Sequence, residues 1–407
     1  MENIEKIYVI QPIISENYKI LHEEAISLIE SANGAYCGTS YQNVKEINPA
    51  TYIGSGKLCE IREKLDGLEE ITILFNGDLS PSQTLNISAA LDDRKVIDRT
   101  TLILDIFAKN AVSSEGKVQV ELAQLKYIYP RLKGKGAALS RLGGGIGSRG
   151  PGESQLETDR RYIRYRIKYL ESKLLETAER RKLQTKRRAK DNKNVIALVG
   201  YTNTGKSTLL NLLTGSNVLS KDALFATLDP TARKFEIDGI EFILVDTVGF
   251  LQELPTSIIE AFKSTLESAL NCDLALIVAD AMGDYNMQIK TTLDTLTELG
   301  FNKPYLTVLN KSENVSDFSG YNKDYIFISA KENLGINALK RKIKEKFNEK
   351  YVLCELFIPY EQINDFYKIN LYSYEKFKEY TNDGLIIKAY ILSTQINEIK
   401  KYIINNN

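Results

Sequence analysis

Val195-Ile196-Ala197-Leu198-Val199 runs directly into Gly200-Tyr201-Thr202-Asn203-Thr204-Gly205-Lys206-Ser207-Thr208, an apolar run followed by a glycine-bounded polar loop. An unbroken apolar run of this length predicts a strand buried on both faces. Gly200 through Ser207 spell G-x-x-x-x-G-K-S, a phosphate loop, and Thr208 to Leu213 then reads as a helix. Each residue type has a physical reason. The glycines let backbone N–H groups converge on phosphate oxygens, Lys206 neutralises β/γ charge, and the Ser207 hydroxyl is a Mg²⁺ ligand. The helix N-terminus adds a positive dipole. The predicted fold class is therefore α/β, with a mostly parallel sheet, and Gly200 through Thr208 are candidate nucleotide-binding residues.

The loop alone does not separate a GTPase from an ATPase or kinase, but the downstream elements do. An apolar strand from Phe242 to Val245 ends in Asp246-Thr247-Val248-Gly249. There a carboxylate can hold Mg²⁺ through water, and the Gly249 N–H can meet a γ-phosphate. Phe225-Ala226-Thr227-Leu228-Asp229 precedes it in a segment long enough to fold over a nucleotide. Thr227 would close on Mg²⁺ only while the γ-phosphate is present, which is an order–disorder switch. The metal set read from these positions is Ser207, Thr227 and Asp246, with Lys206, Thr227 and Gly249 as the catalytic group. Further on, Asn310-Lys311-Ser312-Glu313 and Ser329-Ala330-Lys331 each follow a strand-like run and resemble the N-K-x-D and S-A-K base-reading motifs of regulatory GTPases. In those motifs the acid accepts hydrogen bonds from guanine N1–H and N2–H₂, which adenine cannot supply together. This chain has Glu313 in place of Asp, so guanine preference over ATP is expected to be looser and a secondary ATPase activity is carried as an expectation.

Two positions bear on mechanism. Phe250 stands where many small GTPases have a water-orienting Gln, so slow intrinsic hydrolysis and an accelerating partner are expected. Asn203 matches the asparagine of potassium-stimulated GTPases, which would make K⁺ a second cofactor; an Asn also tolerates a left-handed loop backbone, and the sequence leaves both readings open.

Working outward, residues 1–100 alternate apolar runs (Lys6 to Ile14, Ala35 to Val44, Ile71 to Phe75) with helical patterns near Asn17–Ser31 and Lys57–Leu65, predicting a small α/β domain. Gly54-Ser55-Gly56-Lys57 only faintly resembles a phosphate loop. Helical spacing then puts Val118, Leu122, Leu125 and Ile128 on one face of a helix expected to end at Pro130, and Leu156, Ile163, Ile167, Leu170 and Leu174 on one face of a second helix. The pair reads as an antiparallel hairpin over residues 101–193, tipped by the glycine-rich, basic residues 133–153. The chain is neutral overall, yet residues 126–193 hold 20 Lys/Arg against 7 Asp/Glu, so the remainder is correspondingly acidic. That segregation fits a nucleic-acid contact through counterion release; a solvated helix face is the plainer alternative. The G domain is expected over 194–350 and a small α/β domain over 351–407.

Composition narrows the rest. There is no stretch of about 18 uncharged apolar residues, and the acidic opening Met1-Glu2-Asn3-Ile4-Glu5 is unlike a secretory leader, so cytoplasmic residence away from membranes is expected. Cys37, Cys59, Cys272 and Cys354 are widely spaced and His22 is the only histidine, which gives no zinc or Cys/His catalytic site.

Longer stretches carry a resemblance to a family. Asn48-Pro49-Ala50-Thr51-Tyr52-Ile53-Gly54-Ser55-Gly56-Lys57, Ser80-Pro81-Ser82-Gln83, Val96-Ile97-Asp98-Arg99-Thr100, Gln119 to Leu125 and Gly144 to Arg161 are, with the nucleotide motifs, similar to the HflX family of ribosome-associated GTPases. The resemblance implies Mg²⁺-dependent GTP hydrolysis with GTP and GDP as ligands. It further implies binding to the large ribosomal subunit, in part of the cellular pool, and splitting or rescue of stalled ribosomes under stress. It places rRNA contacts at the hairpin tip, on Arg141, Gly144, Gly145, Arg149, Arg160 and Arg161. Two other readings stay open: a ribosome-independent regulatory GTPase, and a ribosome-binding factor whose hydrolysis is incidental. A monomer is expected, because no self-association stripe remains once the hairpin closes.

Overall fold

The computed structural model describes residues 4–68, 70–140, 151–190, 194–216, 224–225, 231–255, 258–259, 266–267, 269–317, 320–348, 351–365 and 373–406. By contacts the chain groups into two units: residues 1–178 with 221–229 and 248–266, and residues 179–220 with 230–247 and 267–407.

In the first unit, β1 (Lys6–Ile13), α1 (Tyr18–Ser31), β2 (Ala35–Asn43), α2 (Ser55–Lys64), β3 (Ile71–Phe75), α3 (Pro81–Ala90), β4 (Val96–Asp98) and α4 (Arg99–Asn110) form a parallel sheet in the order β2-β1-β3-β4 with its helices. Helix starts are written locally. Ser80 and Gln83 close a reciprocal capping box with Pro81 in the first turn, and the Asp98 carboxylate caps α4 at the Thr101 N–H. Apolar packing follows the strand pattern, with Ile10, Ile73, Phe75, Leu58, Ile61 and Ile87 in one cluster. Gly54 merely starts α2, and Lys57 there pairs with Glu60 on the same helix at 2.8 Å.

The hairpin is α5 (Ser114–Ser140) and α6 (Pro151–Lys190). Val118, Leu122 and Leu170 pack together, flanked by Leu125, Ile167 and Leu174, whereas Ile128 is exposed. Pro130 does not end α5; the helix runs through it to Ser140. A proline removes one main-chain bond, and here the interrupted turn is held from outside. Arg131 donates to Tyr127 O at 3.0 Å and to Leu79 O at 2.7 Å, pairs with Asp98 at 3.0 Å and lies over the Tyr127 ring.

The second unit contains β5 (Asn194–Gly200), α7 (Lys206–Thr214), β6 (Thr231–Ile237), β7 (Ile240–Asp246), β8 (Leu274–Asp280), α8 (Tyr285–Glu298), β9 (Tyr305–Asn310), β10 (Ile326–Phe327) and α9 (Ile336–Asn348). The sheet order is β10-β9-β8-β5-β7-β6, parallel except where β6 pairs antiparallel with β7. The central strands β5 and β8 are buried except at Val195 and Asp280, as expected where helices cover both faces.

The C-terminal part has the two strands and the closing helical stretch expected of it, with two further strands. Its sheet is four-stranded and antiparallel, order β12-β13-β11-β14, from β11 (Tyr351–Pro359), β12 (Ser373–Tyr380), β13 (Gly384–Leu392) and β14 (Ile403–Asn406), with helical turns over residues 393–402, including the short α10 (Ile396–Ile399), before the last strand. Strands β12 and β14 carry no clear apolar alternation, which is why they escape a sequence reading; edge strands need only one partner. Of the helix expected near 362–369, the described residues 362–365 are helical and the rest lie outside the described residues.

Candidate nucleotide site

The loop after β5 is shaped by two glycines that tolerate no side chain. A Cβ on Gly200 would meet Val278 O at 2.1 Å, and one on Gly205, at φ +83°, would meet Asn310 Nδ2 at 2.3 Å. Asn203 also sits left-handed, at φ 59°, which by itself accounts for an asparagine there. The loop then delivers Lys206 as the first residue of α7.

Lys206 is buried, and its ammonium donates to Gly200 O at 3.2 Å and Tyr201 O at 2.6 Å. Burial pushes its pKa down to about 8, against the opposing pull of Asp246. The Thr202 hydroxyl is buried without a hydrogen-bond partner among the described residues. A buried cation, an unspent hydroxyl and a helix N-terminus together suit a phosphate chain. Ser207 Oγ donates to Asp246 Oδ2 at 2.6 Å, and Thr247 Oγ1 donates to Leu198 O at 2.7 Å, fixing the end of β7 beside β5. The Ser207–Asp246 pair is an oxygen-only donor set of hydroxyl and carboxylate, the chemistry that Mg²⁺ selects.

Asn310, at the end of β9, ties the two candidate base-reading loops to the candidate phosphate loop. Its Nδ2 donates to Thr204 O at 2.8 Å, and its Oδ1 accepts from Ala330 N–H at 2.9 Å. Ser329 Oγ accepts from Glu332 N–H at 3.0 Å, and Ser312 N–H donates to Ile328 O at 3.1 Å. Lys311, left-handed at φ 63°, pairs with Asp280 at 2.8 Å. Glu313 is exposed in a short 3₁₀ turn, Ser312–Asn314, and Lys331 is exposed as well. Asp280, through this pair, is a further candidate that sequence reasoning missed, although a carboxylate closing an apolar strand was the available signal. Asn310→Ala is expected to lower guanine-nucleotide affinity about tenfold or more, since it leaves the Thr204 carbonyl and Ala330 N–H without these partners, at about 1–3 kcal/mol each. Titration with fluorescent GDP checks this.

The remaining candidates belong to the first unit. Ala226, Thr227, Leu228 and Asp229 lie outside the described residues, as do Arg141, Gly144, Gly145 and Arg149. Phe225 packs its ring edge-on against Phe107, centroids 4.5 Å apart, and its carbonyl accepts from Asn110 Nδ2 at 2.9 Å. Leu224 N–H donates to Ser31 Oγ at 2.9 Å. Val248, Gly249 and Phe250 line a small apolar cavity with Phe107, Phe225 and Ile258. Phe250 is thus a buried packing residue.

Beyond it, Gln252 is gripped through its main chain: its carbonyl accepts from Arg99 at 3.3 Å and its N–H donates to Glu24 at 3.5 Å. Arg99 and Glu24 form a buried ion pair at 2.5 Å, and Arg99 also donates to Asn76 at 3.0 Å. Burial raises the Glu24 pKa and Arg99 counters it. Neither Glu24 nor Arg99 stands among the candidates read from the sequence, and what the structure shows of them is this grip on the Gln252 main chain. The signal for Glu24 was a carboxylate in the apolar phase of α1, beside buried Ala25, Leu28 and Ile29. Arg160 lies 5.8 Å from the Tyr129 ring centroid, and Arg161 is exposed.

A strand, a G-x-x-x-x-G-K-S loop and a helix, tied by one asparagine to two loops that resemble base-reading motifs, on a sheet of this order, are the plan of a P-loop GTPase. The family model for a 50S ribosome-binding GTPase matches residues 195–311, and models for the N-terminal and middle regions of a GTP-binding GTPase match residues 20–108 and 110–188. The chain belongs to the HflX family of GTPases: it is 45% identical to the GTPase HflX of Caldanaerobacter subterraneus subsp. tengcongensis, over 94% of this chain and 90% of that one. It is 39% identical to GTPase HflX of Escherichia coli K12, over 83% and 81%. Among solved structures it is similar to a GTP-binding protein from Sulfolobus solfataricus in complex with GDP, at 29% identity, 85% and 99% coverage and a TM-score of 0.45.

Proposed function

We propose that this chain is a Mg²⁺-dependent GTP hydrolase that binds the large ribosomal subunit and acts in splitting or rescue of stalled ribosomes. The observation that carries the enzymatic half is the buried Lys206 ammonium, held by two loop carbonyls at the mouth of a helix, next to the Ser207–Asp246 pair. Lys206 orients and neutralises the β/γ-phosphates. Ser207 and Asp246 would hold the metal, which supplies charge neutralisation across the phosphates when bound. Thr227 and Gly249 are the positions expected to report the γ-phosphate. Glu313 is the proposed guanine reader, so Glu313→Ala is expected to lower GTP affinity with little effect on ATP, measured by competition against fluorescent GDP.

Support for a ribosomal partner comes from the family model's description and from the basic residues 126–193. Phe250, packed in an apolar cluster, cannot orient water, so an accelerating partner is expected. The test is hydrolysis of GTP and ATP by the purified protein with and without large subunits. Stimulation of about tenfold or more with GTP supports the reading; a fast rate for the isolated protein overturns the partner argument. Running it in K⁺ and in Na⁺ tests the role of Asn203, since equal rates remove the monovalent cation. A protein lacking 141–153 that still binds ribosomes would favour a ribosome-independent role for the hairpin tip, and a Lys206→Ala protein that still splits them would make hydrolysis incidental.

A further inference from the structure

The outer face of α6 is unusual. Tyr162, Tyr165 and Tyr169 are 69%, 68% and 55% exposed, far more than aromatic side chains usually are. Their spacings of three and four residues put them on one helical face, over an axial rise of about 10 Å. The apolar stripe that packs on α5, through Ile167, Leu170 and Leu174, lies on a different side of the helix, so the tyrosines take no part in closing the hairpin. Folding the hairpin therefore does not explain them.

The surroundings identify what would. Arg161, Lys168 and Lys173 are exposed on either flank of the stripe, and the Arg166 guanidinium stands over the Tyr169 ring, 5.4 Å from its centroid. Arg166 is anchored in that place by Glu121 on α5, at 2.6 and 2.9 Å. Aromatic rings interleaved with cations on a solvent-facing ridge match the needs of unpaired nucleotides, whose bases stack on rings while the backbone phosphates meet the charges. Protein interfaces also select Tyr and Arg, but the 20 Lys/Arg against 7 Asp/Glu over residues 126–193 favour a polyanion, which an ordinary protein surface is not. Duplex RNA offers no exposed base faces to stack.

We infer that Tyr162, Tyr165 and Tyr169 form a stacking ridge for unpaired bases of RNA, lying along the shaft of the hairpin rather than at its tip. This rests on the ribosome-binding reading above and adds the RNA class and the residues. The ridge binds single-stranded segments, with specificity for exposed bases and little for sequence.

The test uses the full chain with Tyr162, Tyr165 and Tyr169 all changed to Leu, and separately all to Phe. All three are exposed helix positions, so both variants are expected to fold, which melting temperature checks. Affinity is measured for purified large subunits, for protein-free large-subunit rRNA and for a fluorescent single-stranded oligouridylate. The expected result is a loss of about tenfold or more for oligouridylate and naked rRNA in the Leu variant. The Phe variant stays within about twofold of the parent, because stacking needs the ring and not the hydroxyl. Parent-like RNA binding by the Leu variant overturns the ridge while leaving subunit binding intact. Loss of subunit binding with no binding of any naked RNA by the parent also overturns it, and assigns the ridge to a protein contact. A parent that binds neither subunits nor RNA overturns both this inference and the ribosomal reading.

Discussion

Lys206→Ala is expected to reduce GTP hydrolysis by about 10²–10³-fold in single-turnover measurements, the scale seen when one preorganised charge donor is removed from a developing phosphoryl charge. Nucleotide affinity falls as well, because the same ammonium faces the ground-state phosphates. Its position explains why nothing nearby compensates. It is buried, donates to the Gly200 and Tyr201 carbonyls, and is driven down to about 8 by that burial. Lys206→Arg should not rescue activity, since a planar fork cannot occupy a space shaped around a point charge. A variant hydrolysing GTP within tenfold of the parent would remove this loop from the chemistry.

Arg99→Ala is expected to destabilise the N-terminal unit by about 3–5 kcal/mol in urea unfolding, the cost of leaving one partner of a buried pair uncompensated. The residue left behind is Glu24, itself buried and already raised in pKa by its surroundings. Arg99 also holds Asn76 and the Gln252 carbonyl, so the damage spreads to the segment after Asp246-x-x-Gly249. The double variant Arg99→Met with Glu24→Leu removes both charges and should recover most of the loss. Because Gln252 then loses these two main-chain partners, the basal GTPase rate of the double variant should still differ from the parent. Recovery of stability together with a parental rate would show that the pair serves folding only.

The nucleotide loops were readable because their chemistry is local. The candidate phosphate loop, Gly200 to Ser207, is a run of consecutive residues, and Asn310 follows a strand whose apolar run is visible in any window. The hairpin was readable for the same reason, from Val118, Leu122, Leu170 and Leu174 at helical spacing. Pro130 was misread because its turn is held by Arg131 reaching Leu79 and Asp98, partners distant in sequence. The C-terminal sheet was half-seen, since β12 and β14 are defined by pairing to β13 and β11 rather than by pattern.

The α/β class, the G-x-x-x-x-G-K-S motif, the two stretches that resemble base-reading motifs and the charge segregation were legible in the chain alone, because each is a short local pattern or a simple count. Packing alone settled that Glu24 and Arg99 grip Gln252 and that Phe250 lines an apolar cavity with Phe107. It also decided that Tyr162, Tyr165 and Tyr169 face outward. Whether a side chain is buried or exposed, and which distant partner offsets its desolvation, depends on the packing of remote segments, and no local periodicity carries that information.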